Sequence, residues 1–163
     1  RALCEAKKIP PKYDRHCLSL SKEEIQARQE ILLENYCKTI NIEARTMVDM
    51  VMHQILPAAL QYSSALAEGI NRKRQASGGA LKVLAESSMV ARISERCDLL
   101  YENTENLYAD LKNVPEDSRS AMDYYSETII PDMQSVRKDA DFLEKLTAKS
   151  YWPYPTYSDL LFY

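Results

Sequence analysis

Ala80-Leu-Lys-Val-Leu-Ala-Glu-Ser-Ser-Met-Val-Ala-Arg-Ile-Ser-Glu-Arg-Cys-Asp-Leu-Leu-Tyr-Glu-Asn-Thr-Glu-Asn-Leu-Tyr-Ala-Asp-Leu-Lys-Asn113 carries the cleanest apolar pattern in the chain. Val83, Val90, Ile93, Cys97, Leu100, Leu107, Leu111 and Val114 follow a spacing of alternating threes and fours, with Glu86 and Thr104 at the intervening polar positions. Residues so spaced share one stripe of an α-helix, and a stripe of this width is the seam of a helical bundle. Cys97 on that seam reads as a small buried hydrophobe rather than a reactive thiol.

The same period extends outward in both directions. Upstream, Ser21-Lys-Glu-Glu24 has the form of a capping box, and helical periodicity runs from it to about Lys73. Its apolar face is Ile40, Ala44, Met47, Val51, Ile55, Ala58, Tyr62 and Leu66. A helix of about fifty residues would be ~75 Å long, so a bend at Pro57 is expected, or a break near Thr39-Ile-Asn-Ile42. Arg72-Lys-Arg74 suits the negative end of that helix, and Ser77-Gly-Gly79 is the clearest turn. Downstream, Pro115-Glu-Asp-Ser118 is a short connection of the kind that joins antiparallel neighbours. A third helix to about Lys149 presents Met122, Tyr125, Ile129, Met133, Val136, Ala140 and Leu143. Two successive steps of four, Tyr125 to Ile129 to Met133, interrupt its pattern beside Pro131 and predict a local reset. Ile55-Leu-Pro57 and Ile129-Ile-Pro131 are similar tripeptides, although no longer repeat surrounds them. Both prolines are expected to bend their helices without ending them.

Tyr151-Trp-Pro-Tyr-Pro-Thr-Tyr-Ser-Asp-Leu-Leu-Phe-Tyr163 holds the only Trp and six of the fourteen aromatic residues, so it needs a place to bury them. Pro153 and Pro155 argue against a helix, and the expectation is an extended strap packed on the bundle. Trp152 with some of Tyr154, Leu160, Leu161 and Phe162 would be buried in it. Two rival readings, a tyrosine sorting signal at Tyr157-Ser-Asp-Leu160 and a ligand for a proline-reading groove at Tyr154 and Tyr157, explain fewer of these residues.

This terminal segment resembles the chain terminus of the type III glutamine synthetases. Lys38-Thr-Ile-Asn-Ile-Glu-Ala-Arg-Thr-Met-Val-Asp-Met50, followed by Ile55-Leu-Pro-Ala-Ala-Leu60, is similar to the helical segment after the catalytic region of that family. Leu20-Ser-Lys-Glu-Glu-Ile-Gln-Ala-Arg28 fits the start of the same segment more loosely. The resemblance spans residues 18 to 163. It implies a structural and interaction domain of an enzyme that joins ammonia to glutamate with ATP and a divalent metal, Mg or Mn. The upstream catalytic region and neighbouring subunits are the implied partners, and large ring-based oligomers the implied assembly. None of the family's catalytic motifs has a counterpart here, so no catalytic, cofactor-binding or metal residue is assigned. An autonomous helical adaptor that binds a partner helix or peptide is the alternative, favoured if a start codon directly precedes Arg1.

Composition agrees with the helical class. The 163 residues include only three Gly and are 45% hydrophobic and 28% charged, which suits one globular domain. A net charge of −3 with interleaved signs gives no electrostatic case for nucleic acid or a membrane surface. No apolar run approaches a bilayer span, no signal peptide opens the chain, and four cysteines without paired spacing point to a reducing cytoplasm.

Chemistry is sparse. Gly69, Gly78 and Gly79 form no phosphate loop. His53 has no Glu three residues before it, and Cys4, His16 and Cys17 fit no recurring zinc spacing. Glu102, Glu105 and Asp110 read as a solvated helix face. The expected molecule is therefore all-α. Residues 1–20 are an irregular linker or the flank of a missing upstream catalytic region, and residues 21–163 a bundle of three long antiparallel helices, or four if the first breaks, with its aromatic tail.

Overall fold

The computed structural model describes residues 21–155 and 157–161, and these are helical with no strands. The linker expected at 1–20, with Cys4, His16 and Cys17, and the tail residue Phe162 lie outside the described residues. The first rod consists of α1 (Lys22–Met50), a π-helical turn (Val51–Ile55) and α2 (Leu56–Ala76). α3 (Leu84–Asp110) is the second rod. The third runs through α4 (Ser118–Tyr124), another π turn (Tyr125–Ile129) and α5 (Ile130–Leu146), and α6 (Tyr157–Leu161) follows in the tail.

Side-chain contacts fix the directions. Lys73 pairs with Glu86 across the first turn, so α2 and α3 run antiparallel. Asp139 meets Arg96 and Asn103, while Asp110 meets Tyr124, so the second and third rods are antiparallel too. Asn41 donates to the Tyr125 hydroxyl at 2.6 Å, and Met50 lies across a groove from Arg137, so the first and third rods run parallel.

Neither proline ends a rod. The Thr39–Ile42 stretch is intact helix, with the Thr39 hydroxyl bonded to the Asn35 carbonyl. Pro57 and Pro131 each occupy the second position after a π turn, in which the Leu56 N–H reaches Val51 O and the Ile130 N–H reaches Tyr125 O. The wider turn places one extra residue ahead of the ring, where the ordinary ladder would lose a bond and meet a clash. It also keeps Met47, Val51 and Ile55, and Tyr125, Ile129 and Met133, on the core side through two successive steps of four. The reset expected at Pro131 is thus a π turn, and the similar tripeptide in the first rod takes the same form.

The core is drawn from all three rods. Ile93, Leu100, Leu107, Ile129, Val136 and Leu143 are each 0% exposed. Thr104 is buried among them because its hydroxyl donates to the Leu100 carbonyl at 2.6 Å, which satisfies it within its own helix.

Several expectations are corrected. α3 starts at Leu84 instead of Ala80, because Gly78 and Gly79 take φ of 58° and 86° and the chain needs four further residues to turn back. The third rod stops at Leu146, where Thr147 is extended. Only half of the capping box forms: Ser21 Oγ accepts from the Glu24 N–H, but the Glu24 carboxylate turns to Arg28. The tail is not extended throughout. Its two prolines keep helix out of residues 151–155, and α6 begins only beyond them. Tyr151 stacks at 5.3 Å on Tyr62, and Trp152 and Tyr154 are half-buried against the core. Leu160 and Leu161, two of the candidates for burial, are 65% and 73% exposed, on a short helix tethered by Lys149 to Asp159.

Candidate functional site

The polar chemistry concentrates where the second and third rods meet. Asp139 is only 4% exposed and faces the core from α5. Its two carboxylate oxygens accept from Arg96 Nη1 and Asn103 Nδ2, each at 2.7 Å. The Arg96 guanidinium also lies 4.4 Å over the Phe142 ring. A buried carboxylate so bracketed is a clasp between two helices: its charge is compensated and its geometry specifies one register. Nothing in it is left free to take part in a reaction.

About two turns away, Asp132 stands beside Asp110 at the end of α3. Burial first, then a hydrogen bond to Asp110 and its charge, hold the Asp132 carboxyl above the usual range. Tyr124 donates to Asp110 at 3.2 Å, and its own hydroxyl is pushed up by burial and by that carboxylate. One oxygen of Asp132 is buried without a partner. Two carboxyls sharing a proton are one general-acid pattern, and among the described residues neither has an ion pair.

The residues singled out in the sequence do not converge. His53 is exposed, with Nδ1 3.0 Å from Asp49 Oδ1 on its own helix. Cys97 is buried and its thiol is pushed up to about 11 by burial and by Asp98, which makes it inert. Cys37 is likewise pushed up by burial. Of the basic cluster, Arg72 pairs with Glu68 and Lys73 with Glu86. Glu86 is held below the usual carboxylate range by the Lys73 hydrogen bond. Among the described residues no group of three His, Cys, Asp or Glu side chains is placed to hold a metal. No described helix is long and apolar enough to cross a membrane.

A groove of about 530 Å³ lies between the first and third rods. Its floor is Met47, Met50, Val51, Ile55, Met133 and Val136, and Glu43, Arg137 and Asp141 rim it. An apolar floor with a charged rim is a shape suited to apolar side chains. Sequence reasoning missed the groove and the Asp139 clasp. The clasp had a signal, since Asp139 lies midway between Val136 and Leu143 on the apolar face.

An all-helical body whose buried polar groups join its helices is the class of protein this fold defines. The comparisons with known proteins give it a family. Residues 12–74 match the model of the glutamine synthetase C-terminal domain, a stretch that takes in nearly all of the first rod. The type-3 glutamine synthetase of Dictyostelium discoideum is 33% identical over 88% of this chain and 20% of its own length. A glutamine synthetase of Butyrivibrio fibrisolvens is 35% identical over 92% of the chain and 21% of its own length. One from Bacteroides fragilis is 28% identical over 87% and 20%. The chain belongs to the type III glutamine synthetase family and corresponds to its C-terminal helical region. It spans about a fifth of the length of the curated relatives it matches.

Proposed function

We propose that this chain is the non-catalytic structural and interaction domain of a type III glutamine synthetase. Its parent would ligate ammonia to glutamate in the cytoplasm, with ATP and Mg or Mn bound elsewhere in the enzyme. The three rods and the half-buried tail act as one bundle, which packs against the upstream catalytic region and against neighbouring subunits. One observation carries the reading: relatives align along nearly the whole chain while four-fifths of their own length lies outside it. The geometry is compatible, because the buried polar groups serve packing and the groove between the first and third rods offers an apolar seat.

Reconstitution tests it. The chain is made alone and together with the upstream portion of the parent synthetase. Alone it should bind no ATP by calorimetry with Mg or Mn present. Co-produced, it should copurify with the upstream portion and restore its assembly and glutamine formation. Micromolar ATP affinity of the chain alone, or an upstream portion fully active and assembled without it, overturns the proposal.

A further inference from the structure

The outer face of α3 is charged in a way the rest of the surface is not. Glu95, Asp98, Glu102 and Glu105 follow one another at steps of three, four and three, so they form one exposed stripe. Like charges at these spacings repel along a helix. On the first rod the pattern is the reverse: Glu24, Glu34 and Glu68 each have a cation one turn on, at Arg28, Lys38 and Arg72. None of the four carboxylates of the stripe has an ion pair among the described residues. Leu99 and Tyr101, 38% and 49% exposed, flank the stripe with apolar surface.

The complementary charges are on the neighbouring rod. Lys138 and Lys145 are exposed on the outer face of α5, two turns apart and without ion pairs among the described residues, and Asp141 between them is paired with Arg137. Asp139 is bound to Arg96, and Phe142 lies under both Arg92 and Arg96. Lys138 therefore stands level with the middle of the stripe, and Lys145 with its beginning. A two-fold axis parallel to the rods preserves height and lays α3 of one copy opposite α5 of the other. In that arrangement Lys138 meets Asp98 and Glu102, Lys145 reaches toward Glu95, and both contacts occur twice.

The geometry points to a second copy of this chain as the occupant of this face, in an isologous dimer held by the α3 stripe and the α5 lysines. Segregated charges let two copies of a chain of net charge −3 associate, because each acidic face meets a basic one. This inference rests on the packing against neighbouring subunits proposed above and names the surface for it. Self-association is read by sedimentation and docking to the catalytic region by reconstitution, so either can fail alone.

The test is sedimentation of the 163-residue chain over a range of concentrations, at low ionic strength and in about 1 M salt, where the screening length is only ~3 Å. A dimer is expected at low salt, with association at least about tenfold weaker at high salt. Asp98→Lys/Glu102→Lys and Lys138→Glu/Lys145→Glu should each sediment as monomers, with circular dichroism and melting like the unaltered chain. Mixed in equal amounts, the two variants should form a heterodimer, because each supplies the charge the other now needs. A chain that is monomeric at every concentration in low salt overturns the inference. So does a dimer that both variants leave intact, or a mixture that stays monomeric.

Discussion

The middle of the molecule and the beginning of its first rod are built from the same kind of amphipathic helix and meet opposite fates. At the middle, Leu100, Ile129, Val136 and Leu143 are fully buried and Asp139 clasps α3 to α5. At the beginning, Ile25, Ile31 and Leu32 are 51%, 58% and 69% exposed, and Leu32 only edges a cleft that Leu33 and Tyr36 share with Met122 and Ser126 of the third rod. Helix formation is common to both regions, so it does not decide stability. How far the neighbouring rods cover a side chain does. An isolated helix is marginal in water, and tertiary packing of its apolar face supplies most of what holds it.

The largest effect expected from this contrast is at the centre of the second rod. Leu100→Ala removes a fully buried side chain from a site walled by all three rods, and should cost about 2–5 kcal/mol in urea unfolding. A loss below about 1 kcal/mol would mean that the site collapses easily and that the middle is no better packed than the rest.

Next comes the clasp. Asp139→Ala leaves Arg96 and Asn103 facing a hole, with a cation whose side chain is only 26% exposed. The expected loss is about 2–3 kcal/mol, below that of a wholly buried pair because Arg96 keeps some water and its stacking on Phe142. Arg96→Ala combined with Asp139→Ala should cost less than the sum of the two single changes, since they share one interaction. Strict additivity would show that the two groups do not support each other.

How much of this was legible beforehand differs by region. The seam of α3 could be read residue by residue, because Ile93, Cys97, Leu100 and Leu107 obey one spacing and all are buried. The prolines were legible as bends, and the steps of four beside Pro131 registered the π turn without naming it. Asp139 was hidden by its type: a carboxylate on an apolar face reads as a misplaced surface residue until Arg96 is seen across from it. The exposure of Ile25 and Leu32 was not legible at all. Periodicity shows which face a helix would bury, but not how far a neighbour covers it. The tail was legible in part, since Trp152 and Tyr154 pack against the core. Pro153 and Pro155 forbid helix only locally, and the five residues of α6 lie beyond their reach.

A smaller effect, with a definite sign, is expected at the carboxyl pair on the edge of the packed middle. The Asp132 carboxyl is raised above its unfolded value near 3.9 by burial and by Asp110. A raised carboxyl binds its proton more tightly in the folded chain. Its stabilisation is therefore complete below the unfolded value and is lost as pH rises through the raised one. Asp132→Asn mimics the protonated form, so it should be more stable than the unaltered chain at neutral pH, and the difference should close as pH falls toward 4. Guanidinium unfolding at several pH values measures this. A variant less stable at neutral pH would show that the ionised carboxylate has a partner that favours it.

The smallest effect belongs to the beginning of the first rod, and it is the sharpest check on the comparison because the substitution is the same one made at the centre. Leu32→Ala removes the same atoms as Leu100→Ala. Leu32 keeps most of its surface in water, so little transfer free energy is lost and no cavity is left. Alanine is also at least as good a helix former as leucine, which offsets part of the remainder. The expected change is within about 0.5 kcal/mol, with an unaltered urea m-value since nothing new is exposed. Two leucines in equivalent helices would then differ several-fold in what their removal costs, through burial alone. If Leu32→Ala instead lowers stability by more than about 1 kcal/mol, the start of α1 is covered in solution and the contrast between the two regions fails.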